Sequence, residues 1–323
     1  MSRAAAILGL LGLALTTGLV LREGWRSVFE ALAVGGLGIA VAGLFHVVPM
    51  LLNARGWQVL LPRGRGRSLG FFAWLVWVRE SVDGLLPVAR LGGSFASARI
   101  MIGKGVRADL SVASLVADTT IALVTQFLLT VLGIALLALR ATDRAVVARI
   151  ALWTLAVVPL IAGFVALQRF GLFALGARTL RVVLRDRLGS VATGARLDRS
   201  VRRLYRRRAA LLRSGAWQLA GWLSGAGEIW LALLFLGHGV SVADAVVLQA
   251  LTQAVGSVFF LVPGAVGVQE AGFVGLGNLL GLGPDVALAL ALARRVRDVL
   301  VFGPGLVAWQ LAEARSQVAR PAA

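Results

Sequence analysis

The chain has 323 residues, 59% of them hydrophobic, and a formal net charge of +18; its mean hydropathy is +0.86. Soluble domains sit at about 45–50% apolar even with glycine counted, so the composition excludes an ordinary soluble enzyme. The absence of cysteine excludes disulfides, thiolate nucleophiles and Cys metal sites.

Apolar runs of the length that crosses about 30 Å of hydrocarbon recur along the chain. The first, residues 4–21, follows Arg3 and has no A-x-A site behind it, so a retained helix is expected rather than a cleaved signal peptide. Residues 28–52 form a second span, followed by a basic loop with Arg55, Arg63, Arg65 and Arg67, where Trp57 is expected as an interface anchor. Residues 69–86 begin apolar and then meet Arg79, Glu80, Asp83, Gly84 and Pro87. Arg79 is expected to snorkel to the interface. The next loop is again basic, with Arg90, Arg99, Lys104 and Arg107. Basic flanks belong in the cytoplasm, so a segment with two of them is expected to enter the membrane and come back. Irregular backbone at that depth requires protein or a water-filled cavity around it.

Residues 110–139 and 146–167 are further spans. Residues 169–213 are the most basic region, arginine-rich against only Asp186 and Asp198, and are expected in the cytoplasm. Within it Val201, Leu204, Leu211 and Leu212 could line one apolar stripe. A surface helix on anionic lipid and a solvated topology anchor both fit. Residues 214–236 lead outward, and the arginine-free loop 237–241 fits the outer side. Residues 242–262 enter from there and meet Pro263 and Gly264; residues 271–282 return to the same side, and 286–311 cross inward. Pro263 ends or kinks the helix, and Gly264 and Gly267 permit a tight reversal. Both termini fall in the cytoplasm of a bacterial inner membrane on this scheme.

"SVDGLLPVA" at residues 81–89 and "SVFFLVPGA" at 257–265 share S-V-x-x-L-x-P-x-A at an offset of 176. The expected fold class is therefore an all-α polytopic integral membrane protein with about six full spans and two re-entrant broken segments in inverted repeats. One transmembrane domain covers residues 1–323, with a first unit at 28–139, the basic loop at 169–213 and a second unit at 214–312. Paired broken segments in corresponding halves point to a transport site near the midplane.

Charges lie where lipid should be. Arg294, Arg295, Arg297 and Asp298 occupy the middle of the last span, at a cost of about 2.5–3.5 kcal/mol each if they faced lipid. Arg294 with Asp298 (i, i+4) and Arg295 with Asp298 (i, i+3) can pair along the helix. Glu270 is expected as a partner across the interface for the positive charge left over. Arg79, Glu80, Asp83 and Arg90 bracket the first break, and Asp118 and Glu228 lie within other spans. Glu270, Arg294, Arg297, Asp298, Arg90, Asp83, Glu80 and Asp118 are the candidate headgroup-binding residues. Pro87, Gly92, Gly93, Pro263, Gly264 and Gly267 are the candidate break residues. The two histidines, His46 and His238, are far apart and are expected in helix-end or packing roles, with no metal site, no cofactor and no nucleic-acid partner.

Three motifs carry a resemblance: "LLPVARLGG" at residues 85–93, "VPGAVGVQEAG" at 262–272 and "ARRVRDVLVFGPG" at 293–305. In them the chain resembles the flippase-like transmembrane family related to the membrane part of lysylphosphatidylglycerol synthase. Within that family it looks most similar to the hopanoid-cluster branch. Ser94 stands where relatives usually carry an acidic residue, so that role is missing here or passes to Asp83 or Glu80. The resemblance implies a membrane lipid as partner, an anionic phospholipid or a hopanoid, and lipid handling rather than enzymatic catalysis. The soluble aminoacyl-transferase domain of the synthase is absent, so lipid aminoacylation is not expected. A scaffold for lipid-synthesis enzymes and an intramembrane enzyme with Glu270 and Asp118 as acid and base are the competing readings.

Overall fold

The computed structural model describes residues 25–62, 68–86, 92–139, 190–258 and 267–318, with isolated positions between 140 and 189. The expected spans at residues 4–21 and 146–167, and the breaks at Pro87, Arg90, Pro263 and Gly264, lie outside the described residues or have only isolated positions among them. Every regular element among the described residues is helical.

Helix α1 (Trp25–Leu44) and α2 (Val47–Leu60) occupy the second apolar run. The run was expected to be one span, but the helix bends at Phe45 and His46 before continuing. Pro49 is the physical reason: it has no N–H to give Phe45, and its ring crowds that carbonyl. The bend puts His46 at the start of α2 instead of on a smooth helix face. A second kink lies at Gly36, whose φ of 46° suits a residue without a Cβ.

Helix α3 (Leu69–Leu85) starts at Ser68, whose hydroxyl accepts from the Phe71 N–H. It packs on α4 (Gly92–Gly103), which leads into α5 (Ala108–Ala138). After the basic region come α6 (Ser190–Arg206) and α7 (Arg208–Phe235). Helix α8 (Val242–Val258) packs on α9 (Val268–Leu279), which leads into α10 (Pro284–Arg297). A π-helical turn, Asp298–Phe302, then joins α10 to α11 (Gly303–Val318). Pro304 accounts for the wide turn, because it withholds an N–H from the preceding ladder.

The halves repeat in length as well as sequence. Helices α3 and α8 both have 17 residues, and α4 and α9 both have 12. The starts of α4 and α9 are 176 positions apart, as are those of α5 and α10. Ser94 and Glu270 thereby fall at the same place, the third residue of their helices, and Asp118 matches Arg294.

Helix α7 lies at the centre and packs on α1, α2, α5 and α8. Helix α1 packs on α10, so the two halves interlock. One apolar core joins α1, α7, α8, α9 and α10; another joins α2, α3, α5 and α6. Trp57 is fully buried in the second, with its indole N–H on Ser114 Oγ at 3.2 Å. It is a core residue and not the expected interface anchor. Ser114→Ala is expected to lower thermal stability in detergent by about 0.5–1.5 kcal/mol, the worth of one buried hydrogen bond.

Two helical stretches among the described residues are long and apolar enough to cross a membrane: Ala33–Leu60, which runs from α1 through the bend into α2, and Ala108–Ala138, which is α5. Only 33% and 39% of their apolar windows are buried, so neither is the core helix of a soluble protein. Val34, Leu37 and Val41 on α1, and Leu128, Val131 and Leu132 on α5, face outward. The other helices are shorter or carry charges, and the charges within the helical body are buried: Asp118 on α5, Glu228 on α7, Glu270 on α9, and Arg294, Arg297 and Asp298 at the end of α10. Apolar outside and ionic inside is the reverse of a soluble protein.

The approach of α3 to α4 depends on Gly93. A Cβ there would collide with the backbone carbonyl of Arg79 and with the Asp83 carboxylate. Gly93→Ala is expected to cost about 1–3 kcal/mol through overpacking, seen as a lower unfolding temperature of the detergent-solubilised protein.

Candidate functional site: a buried ionic cluster

The cluster is built where the α1–α2 bend, the middle of α3, the middle of α7 and the end of α10 converge. The α10 sequence R-R-V-R-D forces this assembly. Four charges in five residues cover most of the helix circumference, so neighbouring helices must supply partners.

Arg297 is the hub. Its Nη1 donates to both Glu228 carboxylate oxygens at 3.1 and 3.3 Å, and its Nε and Nη2 donate to Asp298 Oδ1 at 3.0 and 2.5 Å. Its guanidinium also lies over the Phe302 ring, 5.3 Å from the centroid. Arg295 donates from Nε to Glu270 Oε1 at 2.8 Å and from Nη1 to Asp298 Oδ2 at 3.2 Å. Arg294 points the other way, toward Gln249 Oε1 at 3.4 Å and Glu228 Oε1 at 3.8 Å, with Phe273 beneath it. Its buried Nε makes no hydrogen bond. Beside it lies a cavity with room for about one water, lined in part by Gly43, Glu228 and Arg294.

Of the expected pairings, that of Arg294 with Asp298 is corrected. Asp298 is held by Arg295 and Arg297, and Arg294 is drawn away to α7 and α8. Glu270 is the partner across the interface that the sequence leads one to expect, and the arginine it takes is Arg295. Its other oxygen accepts the Gly267 N–H at 2.7 Å, so it also caps the start of α9. Gly267 takes φ 80°, a conformation glycine adopts without strain.

His46 is the residue the sequence reading missed. Its Nδ1 lies 2.7 Å from Glu228 Oε2 and its Nε2 lies 3.1 Å from Glu80 Oε2. It ties α3 to α7 and stands 3.4 Å from Arg297 Nη1. Pro49, three residues on, was the available signal: a proline inside an apolar run bends it, and the residue at the bend turns inward. His238 does sit at a helix end, with Nδ1 3.0 Å from the Leu236 carbonyl. Among the described residues no group of His, Asp and Glu could hold a metal ion.

A second buried unit stands apart. Arg79 Nη1 donates to Asp118 Oδ2 at 2.6 Å, and Gln218 Nε2 donates to Asp118 Oδ1 at 2.7 Å. Arg79 also covers Trp57, 5.0 Å from the ring centroid. It is internal and does not snorkel; a buried carboxylate holds it more tightly than a distant interface could. Asp83 accepts the Gly93 N–H at 2.8 Å. It therefore serves the start of α4 as Glu270 serves the start of α9. The structure thus brings together Glu80, Glu228, Glu270, Arg294, Arg295, Arg297, Asp298 and His46, and leaves Asp83 and Asp118 in separate contacts.

The basic region folds in part onto this body. Val201 and Leu204 of α6 are buried against α5, while Leu212 is exposed and so lies off the stripe. Ser200 donates to Asp109 at 2.7 Å, and Arg207 to the Leu60 carbonyl at 2.8 Å. Arg196, Arg202, Arg203 and Arg206 stay exposed.

The sequence model described as "Lysylphosphatidylglycerol synthase TM region" matches residues 5–305, nearly the whole chain. No curated protein and no solved structure matches it. That match and the inside-out distribution of charge agree on a membrane protein.

Proposed function

The chain belongs to the family of the lysylphosphatidylglycerol synthase TM region, and on that premise we propose that it is a lipid translocator. A headgroup enters the ionic cluster while the tail stays in hydrocarbon. The two helix pairs, α3 with α4 and α8 with α9, form re-entrant segments of inverted repeats. Alternate opening of the cluster to the two sides carries the headgroup across. The observation that carries this reading is the placement of Arg295. It is the most accessible of the three clustered arginines, at 23% of its side chain against 10% for Arg294 and 8% for Arg297. A guanidinium at the rim of a buried cluster suits an anionic group, which it can grip through two parallel hydrogen bonds. An anionic phospholipid fits this chemistry; a hopanoid with a polar tail fits the branch resemblance. The protein is not proposed to catalyse a reaction, since the cluster holds no activated nucleophile.

The test is movement of a labelled anionic lipid in reconstituted vesicles. Wild type is expected to move it faster than protein-free vesicles, and Glu270→Gln with Arg294→Ala is expected to reduce that rate at least tenfold, about 1.4 kcal/mol of lost binding. No movement above empty vesicles sinks the reading. The exposed arginines of α6 favour a second one, a scaffold that recruits lipid-synthesis enzymes. A scaffold keeps its partners in the same variant.

A further inference from the structure

We infer that His46, held between Glu80 and Glu228, is a proton-binding site whose loading sets the partners of Arg297. Both ring nitrogens lie within hydrogen-bond distance of a carboxylate oxygen, 2.7 Å on the Glu228 side and 3.1 Å on the Glu80 side. Each contact needs one hydrogen between nitrogen and oxygen. A neutral imidazole carries one N–H and two ionised carboxylates carry none. The geometry therefore holds one proton more, shared by His46, Glu80 and Glu228.

The charge count of the cluster agrees. Arg294, Arg295 and Arg297 face Glu80, Glu228, Glu270 and Asp298, three cations against four carboxylates. One added proton makes the cluster neutral, which its mostly buried setting favours. The groups facing His46 come from every element around it: Glu80 from α3, Glu228 from α7, Arg297 from α10, and the Phe302 edge from the π-helical turn at a centroid distance of 5.5 Å. Arg294 and Asp298 form the next layer through Glu228 and Arg297.

Loss of the proton changes more than charge. One ring nitrogen then meets a carboxylate lone pair to lone pair, and that contact opens. If Nδ1 is the bare nitrogen, it becomes an acceptor for Arg297 Nη1, already 3.4 Å away, in competition with Glu228. If Nε2 is bare, Glu80 is released and α3 loses its tie to α7. Either way the strap across the cluster loosens, so proton release and headgroup exchange are linked events. This coupling rests on the translocator reading; the proton site does not.

The chain has only two histidines, so the test is direct. Nitrogen-15 histidine spectra of the solubilised full chain are recorded from pH 5 to 9. His238→Gln, at an exposed helix end, leaves one signal and assigns His46 without touching the cluster. The site predicts a His46 ring with both nitrogens protonated or in hydrogen bonds to a protonated carboxyl, and loss of that state in one step as pH rises. A single neutral tautomer throughout, with no protonated carboxyl in the infrared spectrum, overturns it. Vesicles with an imposed pH gradient then test the coupling. One proton per lipid predicts up to about tenfold leaflet asymmetry per pH unit. Lipid movement that ignores the gradient overturns coupling while leaving the translocator standing. No movement under either condition removes the translocator, and the spectra still decide the proton site.

Discussion

Arg297→Ala is expected to destabilise the protein by about 3–5 kcal/mol, because removing one partner leaves buried charge uncompensated. Glu228 and Asp298 each lose their shortest arginine contact, at 3.1 and 2.5 Å. Arg294 cannot replace it; its Nε is 3.8 Å from Glu228 and its Nη1 is turned to Gln249. Arg297→Lys is expected to recover only part of the loss. A lysine is a point charge and cannot span two carboxylates on different helices as the planar guanidinium does. Thermal unfolding in detergent measures both. A loss under about 1 kcal/mol would place Arg297 among the ion pairs that contribute little, and the cluster would not be the keystone of the helix packing.

Asp118→Asn is expected to cost a similar amount, about 3–5 kcal/mol. The carboxylate is 1% exposed on its side chain and serves two donors, Arg79 and Gln218. Asparagine keeps the shape but brings its own N–H groups against one of those donors and leaves the Arg79 guanidinium without a countercharge. Arg79→Gln in the Asp118→Asn background is expected to restore part of the stability, since both charges are then gone. Additive losses in that cycle would show that the two side chains do not act as a pair.

Much of the architecture was legible because apolar run length and proline position report membrane helices directly. The long helix read at residues 110–139 is Ala108–Ala138 in the structure. The repeat seen in nine residues extends to equal helix lengths and a shared offset. Sequence spacing located the charged residues and the Arg295–Asp298 pair, but not the partners of Arg294. The i, i+4 relation of Arg294 and Asp298 is real, yet α7 and α8 offer Glu228 and Gln249, and tertiary contacts win. His46 was not legible as a site residue, because the Pro49 bend marks its position but not its partners. Only the Pro49 bend and the packing of α3 and α7 bring Glu80 and Glu228 to its two nitrogens. Trp57 and Arg79 were assigned to the interface by residue type, but each found a buried polar partner, Ser114 and Asp118, that repays burial.

The structure also clarifies Ser94. It sits at the third position of α4 as Glu270 does of α9, and at the start of α4 it is Asp83 from the preceding helix that accepts a backbone N–H, that of Gly93. The starts of α4 and α9 thus each receive one carboxylate, from α3 in the first half and from α9 itself in the second.

Native mass spectrometry of the purified protein tests the central claim most directly, comparing wild type with Arg295→Gln. Arg295 is the arginine at the rim of the cluster, so its loss leaves the Arg297 contacts in place; thermal unfolding of the variant is recorded beside the spectra, because Glu270 loses its arginine partner. The account predicts one class of anionic lipid retained by wild type and lost in the folded variant. The same lipids on both proteins would contradict it, and the buried cluster would then be the framework that holds these helices together and nothing more.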